Sequence, residues 1–445
     1  MKVVAEVAGL IDAPIYRRFS SAIGEHVLVV PHSRVYDLNP SLAKEWDSDN
    51  HEASKWSELF ASTALGESEL SDVVEPSVQS LSLNVSSDCN LGCSYCYADR
   101  GSFGGRQLAK MSNEVAFAGI DALLSQADIR APITVGFLGG EPLINQKLVR
   151  AVVDYATAAA ERVGADLRFS ITTNGTLVDD EAIELFRNHR FAVTVSVDGD
   201  AFTHDKQRPS LGGRGSFSLI AKRVAPLLSN PGKAQVAARM TVGAATPFRL
   251  KERIKAVLDL GFSEVGLSPL RVAADGSNFH DGNWADYLDE LTAISREQIG
   301  NAIETGKISL TNFAVALKQI HRGASSPYPC GAGGGYFSLS AEGKWYACHR
   351  AIGEKSFEMG TSGGLNSEHR RAFLIQRHVH SQTDCASCWA RYLCSGSCHQ
   401  EAVTRTLQSC EFIRSWLLFC LAAYCELSVS RPSFFYPSLD GGDSS

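Results

Sequence analysis

Between residues 78 and 305, short apolar and β-branched runs alternate with longer stretches of helical periodicity. The candidate strands are SLSLNV, PITVGFL, LRFSITT, AVTVSV, QVAARMTV and EVGLSP. Helical patterns such as NQKLVRAVVDYATAAAERV and DDEAIELFRNH lie between them. This rhythm predicts a parallel sheet joined by crossover helices. Right-handed crossovers curl such a sheet toward a barrel, and six strands predict a partial one.

The flanking segments read differently. Residues 1–75 predict a small α+β unit: EHVLVV and SRVYDL as strands, then PSLAKEW as a helix with proline at its start. A polar acidic stretch, Glu67 to Glu75, leads into the barrel. Residues 312–398 are rich in glycine and cysteine and read as loops and short strands, and 399–428 as helical. Together 312–428 form a C-terminal cysteine-rich domain, followed by a loose tail over 429–445. No internal repeat is present.

Of the 445 residues 44% are hydrophobic, enough for a large core. A net charge of −7 gives no electrostatic reason to expect nucleic acid or an anionic membrane as partner. The apolar run Trp416 to Cys425 is too short to span a bilayer. A glutamate interrupts the N-terminal run MKVVAEVAGLIDAP and no small-residue cleavage site follows, so no secretory signal is read and a cytoplasmic location is expected. Twelve cysteines in such a chain read as metal ligands before disulfides.

The first strand runs into SSDCNLGCSYCYADRG, which spaces Cys89, Cys93 and Cys96 as C-x3-C-x2-C. Thiolates are the usual ligands of iron–sulfur clusters. Three on one loop can hold three irons of a cubane and leave the fourth open, as catalysis requires. A structural zinc site would want four ligands, commonly in C-x2-C pairs. The loop also follows the C-terminal end of a barrel strand, where active sites form. GGEP (Gly139, Gly140, Glu141, Pro142) ends the second strand, and its glycines let backbone approach a ligand closely, or make a tight turn. TTNGT, with Asn174, ends the third. SVDG, with Ser196 and Asp198, ends the fourth and leads into HDKQRP. Asn-Gly and Asp-Gly are also strong turn formers, so turn chemistry stands beside ligand binding at these positions. Arg208 and Arg239 are candidates to neutralise a carboxylate, or are ordinary surface arginines.

CNLGCSYCY resembles the signature loop of the radical S-adenosylmethionine (radical SAM) superfamily. The resemblance implies a [4Fe–4S] cluster on Cys89, Cys93 and Cys96, and reductive cleavage of S-adenosylmethionine to a 5′-deoxyadenosyl radical. It also implies cofactor contacts from Tyr95 near the adenine, from Gly139, Gly140 and Glu141 at the amino group, and from Asn174, Ser196 and Asp198. Tyr95 as a plain core aromatic is the competing reading.

Seven further cysteines follow the barrel. Cys330 is followed after twelve residues by Gly343 and after four more by Cys348; then come Cys385-x2-Cys388-x5-Cys394-x3-Cys398 and Cys410. The pattern resembles the SPASM domain of peptide-maturing radical enzymes. By that resemblance Cys330, Cys348 and Cys398 hold one auxiliary [4Fe–4S] cluster, and Cys385, Cys388, Cys394 and Cys410 a second. Paired zinc ribbons are the structural alternative. Tyr336 stands where sulfatase-maturing relatives keep an eighth cysteine, so the first auxiliary cluster has either an open iron or a non-cysteine ligand. His349 stands where those relatives carry an aspartate. CHRAIGEKSFEMG, CASCWARYLCSGSCH and YADRGSFGG are most similar to maturases that install thioether cross-links, namely the quinohemoprotein amine dehydrogenase and ranthipeptide maturases. Carbon–carbon or cyclophane cross-linking is the next reading, and anaerobic sulfatase maturation the one after it. The family implies a precursor peptide or protein substrate and an external electron donor such as flavodoxin or ferredoxin. The N-terminal unit resembles a leader-peptide recognition element, with a structural cap as the alternative. Cys420 and Cys425, in an apolar helical stretch, read as core thiols. The expected fold is α/β: a partial (β/α)6 TIM-like radical SAM barrel, a C-terminal SPASM domain and a small N-terminal α+β unit.

Overall fold

The computed structural model describes residues 13–48, 73, 75–103, 109–244, 248–270, 279, 281–323, 325–361, 364–402 and 405–436. The acidic linker apart from Val73 and Glu75, the last two glycines of YADRGSFGG, and the tail beyond Tyr436 lie outside the described residues. The chain forms two compact units, one of residues 1–73, 284–330 and 375–445, the other of 74–283 and 331–374.

In the unit of residues 1–73, 284–330 and 375–445, β1 (Tyr16–Ser21), β2 (Gly24–Val29) and β3 (Arg34–Leu38) form an antiparallel sheet in that order. Strand β1, YRRFSS, was not expected, because its two arginines hide the alternation. Val27, Val29 and Leu38 form a small core with Ile15, Tyr16 and Trp46. Two long helices, Thr311–Arg322 and Leu407–Ser430, pack through Phe313 against Trp416 and Phe419, with ring centroids 5.9 and 5.8 Å apart.

The other unit holds a mostly parallel sheet in the order β13-β12-β11-β10-β4-β5-β6-β7-β8-β9. The six expected strands are β4 (Ser80–Ser86), β5 (Ile133–Gly139), β6 (Leu167–Thr173), β7 (Phe191–Ser196), β8 (Gln235–Val242) and β9 (Val265–Pro269). They pair in parallel in sequence order. This is the partial, TIM-like barrel that the strand–helix rhythm predicts. Past β4 the sheet gains a further parallel strand, β10 (Tyr336–Leu339). Short antiparallel strands β11 (Trp345–Tyr346), β12 (Glu358–Thr361) and β13 (Gly364–Leu365) extend it.

Alternation along each strand divides the sheet into two faces. Leu81, Leu83, Val135, Phe137, Phe169 and Phe191 are buried on the helix-covered face. There Phe169 stacks on Phe191 at 5.2 Å. Burying each such side chain contributes about 1.5–3 kcal/mol. Gly119 in the helix Asn113–Gln126 lets that helix settle onto this face: a Cβ there would lie 2.7 Å from Leu339 Cδ2. The opposite face is polar. It carries Ser82, Asn84, Ser170, Thr172, Thr194, Ser196, Arg239 and Thr241, of which Thr172 and Arg239 are exposed. Thr172 pairs in register with Thr194, and Ser196 with Arg239.

Two expectations need correction. The segment 312–398 contains the helices Thr311–Arg322 and Ser367–Arg377 rather than only loops and short strands. Phe313, Ala316, Leu317 and Ile320 recur at helical spacing and are buried, a signal masked by the glycine and cysteine content around it. The apolar run Trp416 to Cys425 is the middle of a longer helix. Leu407–Ser430, 24 residues, is long and apolar enough to cross a membrane by length and composition. Its residues Trp416, Leu417, Cys420 and Leu421 are buried.

Candidate active site

The loop after β4 is held at both ends. Asp88 N donates to Ser86 Oγ (3.2 Å) and Cys89 N to Asp88 Oδ1 (2.8 Å). Gly92 N reaches Pro209 O (2.8 Å) and Ser94 N reaches Gln207 O (3.1 Å), which seats the loop on the segment after the helix Ala201–Gln207. Asp99, Arg100 and Phe103 take left-handed backbone conformations just past Cys96, turning the chain back so that Arg100 N meets Cys96 Sγ at 3.2 Å.

All three sulfurs accept a hydrogen bond. Asn174 Nδ2 lies 3.8 Å from Cys89 Sγ and Arg208 Nη1 lies 4.0 Å from Cys93 Sγ, alongside the Arg100 amide on Cys96. Burial pushes the Cys89 thiol up to about 12 and raises that of Cys93. Without a bound cation these thiols stay protonated at neutral pH; a metal deprotonates them. Among the described residues no three His, Cys, Asp or Glu side chains are gathered to hold one metal ion. Cluster thiolates, by contrast, each bond a different iron.

The GGEP turn packs onto this loop. Gly140 N donates to Ser86 O and Glu141 N to Asp88 O, both at 2.8 Å. A Cβ on Gly140 would lie 2.3 Å from Asp88 O, and one on Gly139 2.2 Å from Ser86 O. The close approach that the glycines permit is therefore backbone against the cysteine loop. Glu141 is fully buried. Its Oε1 accepts from Thr173 Oγ1 (2.7 Å) and Leu143 N (3.1 Å), and its Oε2 from Asn174 N (2.7 Å). Asn174 in turn bonds Asn90 Oδ1 through Nδ2 (2.9 Å), and Asn90 bonds Thr176 Oγ1 (2.8 Å). Gly175 makes the turn of TTNGT with φ +77°, and Asn174 touches the cysteine loop.

Asp198, fully buried beyond β7, joins the remaining parts. Its Oδ2 accepts from Tyr95 Oη (2.5 Å) and Arg208 Nε (2.9 Å), and its Oδ1 from Thr241 N (2.9 Å). Arg208 lies over the Tyr95 ring at 5.2 Å. Burial opposes the Arg208 charge, but Asp198, Tyr95 and Cys93 outweigh it and raise its pKa. Behind this pair, Asp198 N donates to His204 Nδ1 (3.1 Å), His204 Nε2 bonds Ser216 Oγ (3.0 Å), and Ser216 Oγ donates to Arg208 O (2.6 Å). Burial pushes His204 down to about 4, so the ring is neutral. His204 and Ser216 were not among the expected site residues. The spacing of histidine and arginine in HDKQRP, four apart on one helix face, was the available signal.

In the same unit, Cys348 Sγ accepts from Arg350 N (3.4 Å). Tyr336 Oη lies 2.7 Å from His349 Nδ1, Tyr97 packs edge-on against His349 with centroids 6.4 Å apart, and Arg350 covers the Tyr97 ring at 5.2 Å. Burial, with help from Arg350 and Arg239, pushes His349 down to about 4. Tyr336 and Arg239 therefore both act on His349, although 110 residues of sequence separate Arg239 from His349.

Cys330, Cys385, Cys388, Cys394, Cys398 and Cys410 belong to the other unit. Cys385, Cys388, Cys394 and Cys410 lie close enough to feel one another's charge. Arg405 Nη1 meets Cys385 Sγ at 3.0 Å, and Ala390 N meets Cys388 Sγ at 3.4 Å. Burial pushes Cys394 up to about 11, against a hydrogen bond from Ser397. Ser395, Gly396 and Ser397 all take left-handed conformations, which reverses the chain between Cys394 and Cys398. Cys420 and Cys425 are buried in the helix Leu407–Ser430.

Residues 83–242 match the model of the radical SAM superfamily. The serine-type anaerobic sulfatase-maturating enzyme of Klebsiella aerogenes is 23% identical over 335 residues, 70% of this chain and 76% of that protein. The mycofactocin maturase MftC of Mycolicibacterium smegmatis is 28% identical over 326 residues, 70% of this chain and 75% of that protein. The solved structure of native anSMEcpe with bound AdoMet and the Cp18Cys peptide superposes with a TM-score of 0.65 at 17% identity, over 79% of this chain and 99% of that one. S-adenosylmethionine and one [4Fe–4S] cluster are the cofactors that this kinship implies, and the hydrogen-bonded, half-buried thiols after β4 suit such a cluster. The barrel segment, residues 83–242, is of the radical SAM superfamily, and the chain is related to the peptide and protein maturases.

Proposed function

We propose that this enzyme modifies a ribosomally made peptide or protein by joining a cysteine sulfur to a carbon of another residue. The observation that carries the peptide reading is the polar sheet face beside the cysteine loop. Thr172, Thr194, Ser196 and Arg239 offer hydrogen-bond partners there to an extended chain, as strand-top residues commonly do. Relatives named as maturases support the same substrate class. The Tyr336–His349 pair supports a thioether over formylglycine, since both positions differ from the sulfatase-maturing pattern.

In this reading Cys89, Cys93 and Cys96 hold the catalytic cluster. When bound, the cluster and S-adenosylmethionine supply a 5′-deoxyadenosyl radical that takes a hydrogen atom from the substrate. Arg208 neutralises the Cys93 side of the loop, and Asp198 fixes Arg208 and Tyr95. Gly139 and Gly140 let the GGEP turn dock, and Glu141 and Asn174 brace it. Ser196 faces the polar side as a cofactor or substrate contact. Cys385, Cys388, Cys394 and Cys410 hold one auxiliary cluster. Sheet β1-β2-β3 is a candidate peptide-recognition element by strand addition. A flavodoxin or ferredoxin is the proposed donor, and the cytoplasm the proposed location.

The test is anaerobic incubation with a short cysteine-containing precursor peptide, followed by mass spectrometry and thiol alkylation. Loss of two hydrogens per link together with loss of an alkylatable thiol is expected. Loss of two hydrogens with the thiol still alkylatable would replace the thioether by a carbon–carbon link. Conversion of cysteine to an aldehyde would replace cross-linking altogether.

A further inference from the structure

Arg405 stands immediately before Thr406, the N-cap of the helix Leu407–Ser430. Its Nη1 lies 3.0 Å from Cys385 Sγ, 3.0 Å from Gln382 Oε1 and 3.0 Å from Gly396 O. Gln382 is itself anchored, with Nε2 donating to Arg377 O at 3.1 Å. It also packs hard against Gly396, where a Cβ would come within 2.6 Å of Gln382 Nε2. The left-handed turn Ser395–Gly396–Ser397 that carries Cys394 toward Cys398 thus builds one wall of a seat for a guanidinium. A loose surface arginine would not have its contact nitrogen fixed by a side-chain amide and a backbone carbonyl together. Asp384, next to Cys385 in sequence, acts on that thiol in the opposite sense.

We propose that Arg405 raises the reduction potential of the cluster held by Cys385, Cys388, Cys394 and Cys410, through the sulfur of Cys385. This rests on the four-thiol reading above. Reduction adds one electron, and the added negative charge spreads onto the ligand sulfurs. A charged N–H on one of them stabilises the reduced form more than the oxidised one, and hydrogen bonds to sulfur are among the recognised determinants of cluster potential. Ligand partners of this kind also orient the ligand itself. The consequence is a cluster biased to accept electrons. Closing a carbon–sulfur bond onto a substrate carbon radical releases one electron and the thiol proton. A cluster held there would accept that electron, and the proton would leave to solvent.

The test uses the full chain in a Cys89→Ala, Cys93→Ala, Cys96→Ala background, reconstituted anaerobically with iron and sulfide, so that only auxiliary clusters remain. Iron content and EPR-monitored redox titration are compared for Arg405, Arg405→Lys and Arg405→Gln. The expected result is equal iron in all three, a midpoint for one cluster that moves negative in Arg405→Gln, and an intermediate midpoint in Arg405→Lys. Equal iron with unmoved midpoints overturns the role. So does equal loss of iron from both variants, which marks a purely structural contact. A background chain that retains no iron overturns the four-thiol reading itself, and the role of Arg405 with it.

Discussion

Tyr95 and Asp198 are 103 residues apart in sequence, yet the phenol donates to the carboxylate at 2.5 Å. The same oxygen takes Arg208 Nε at 2.9 Å. One buried carboxylate therefore ties the cysteine loop to the tops of β7 and β8 and to the end of the helix Ala201–Gln207. Asp198→Asn leaves Arg208 buried without its counter-charge, at a cost of about 3–5 kcal/mol. Tyr95→Phe removes one hydrogen bond to a charged group, about 1.5–3 kcal/mol. Urea unfolding of the full chain should rank them in that order. An Asp198→Asn protein as stable as the wild type would mean that this ion pair does not hold the loop.

Glu141 offers a pH signature. Burial lifts its carboxyl from 4.5 to about 7, against hydrogen bonds from Asn174, Thr173 and Leu143. Between those values the folded chain keeps a proton that the unfolded chain has lost. The associated stability is complete below pH 4.5 and is lost as pH rises through about 7. At about 1.4 kcal/mol per pH unit the difference is roughly 3 kcal/mol. Glu141→Gln should remove that component, so the wild-type stability should fall more steeply than the variant's between pH 5 and pH 8. Identical slopes would show that Glu141 titrates as an ordinary carboxyl.

Gly140 gives a steric prediction. Its missing Cβ would sit 2.3 Å from Asp88 O, a backbone atom of the cysteine loop. Gly140→Ala must push that loop away, and overpacking of this kind costs about 1–3 kcal/mol. Iron bound at the barrel loop should fall more than global stability does. Measuring both in a chain lacking the C-terminal cysteines isolates the effect. Full barrel iron in Gly140→Ala would show that the loop can give way without losing its geometry.

The parallel sheet was legible because each of β4 to β9 buries one face against helices, which writes a continuous apolar or alternating run into the sequence. The chemistry-bearing loops were legible because glycine and cysteine spacing is local. What escaped notice is non-local or locally weak. Strand β1 carries two arginines on its six residues, and β10 is four residues long and gains its place by pairing with the distant β4. The helix Thr311–Arg322 lay inside a segment whose glycines drew attention to loops. At the site, Asp198 was read from SVDG as a cofactor contact or a turn residue. Its hydrogen bonds to Tyr95, Arg208 and Thr241 depend on three strand tops meeting, which no spacing encodes. Arg405 is of the same kind: only the folded turn after Cys394 brings it to Cys385.

The cysteines separate the two proposed kinds of cluster. Cys93, beside Arg208, belongs to the barrel loop, while Cys385 lies among Cys388, Cys394 and Cys410 in the other unit. Cys93→Ala should abolish 5′-deoxyadenosine formation and leave the auxiliary iron in place. Cys385→Ala should lose iron and stability at its own unit, because a cluster bound only to the folded form adds its binding free energy to folding. Iron analysis, EPR and assay of cofactor cleavage on both variants read these effects independently. Cofactor cleavage at the wild-type rate in Cys93→Ala would remove that cysteine from the catalytic cluster. Undiminished iron in Cys385→Ala would instead count against the four-thiol site, because a cubane that loses one of four thiolates keeps a labile corner from which iron dissociates.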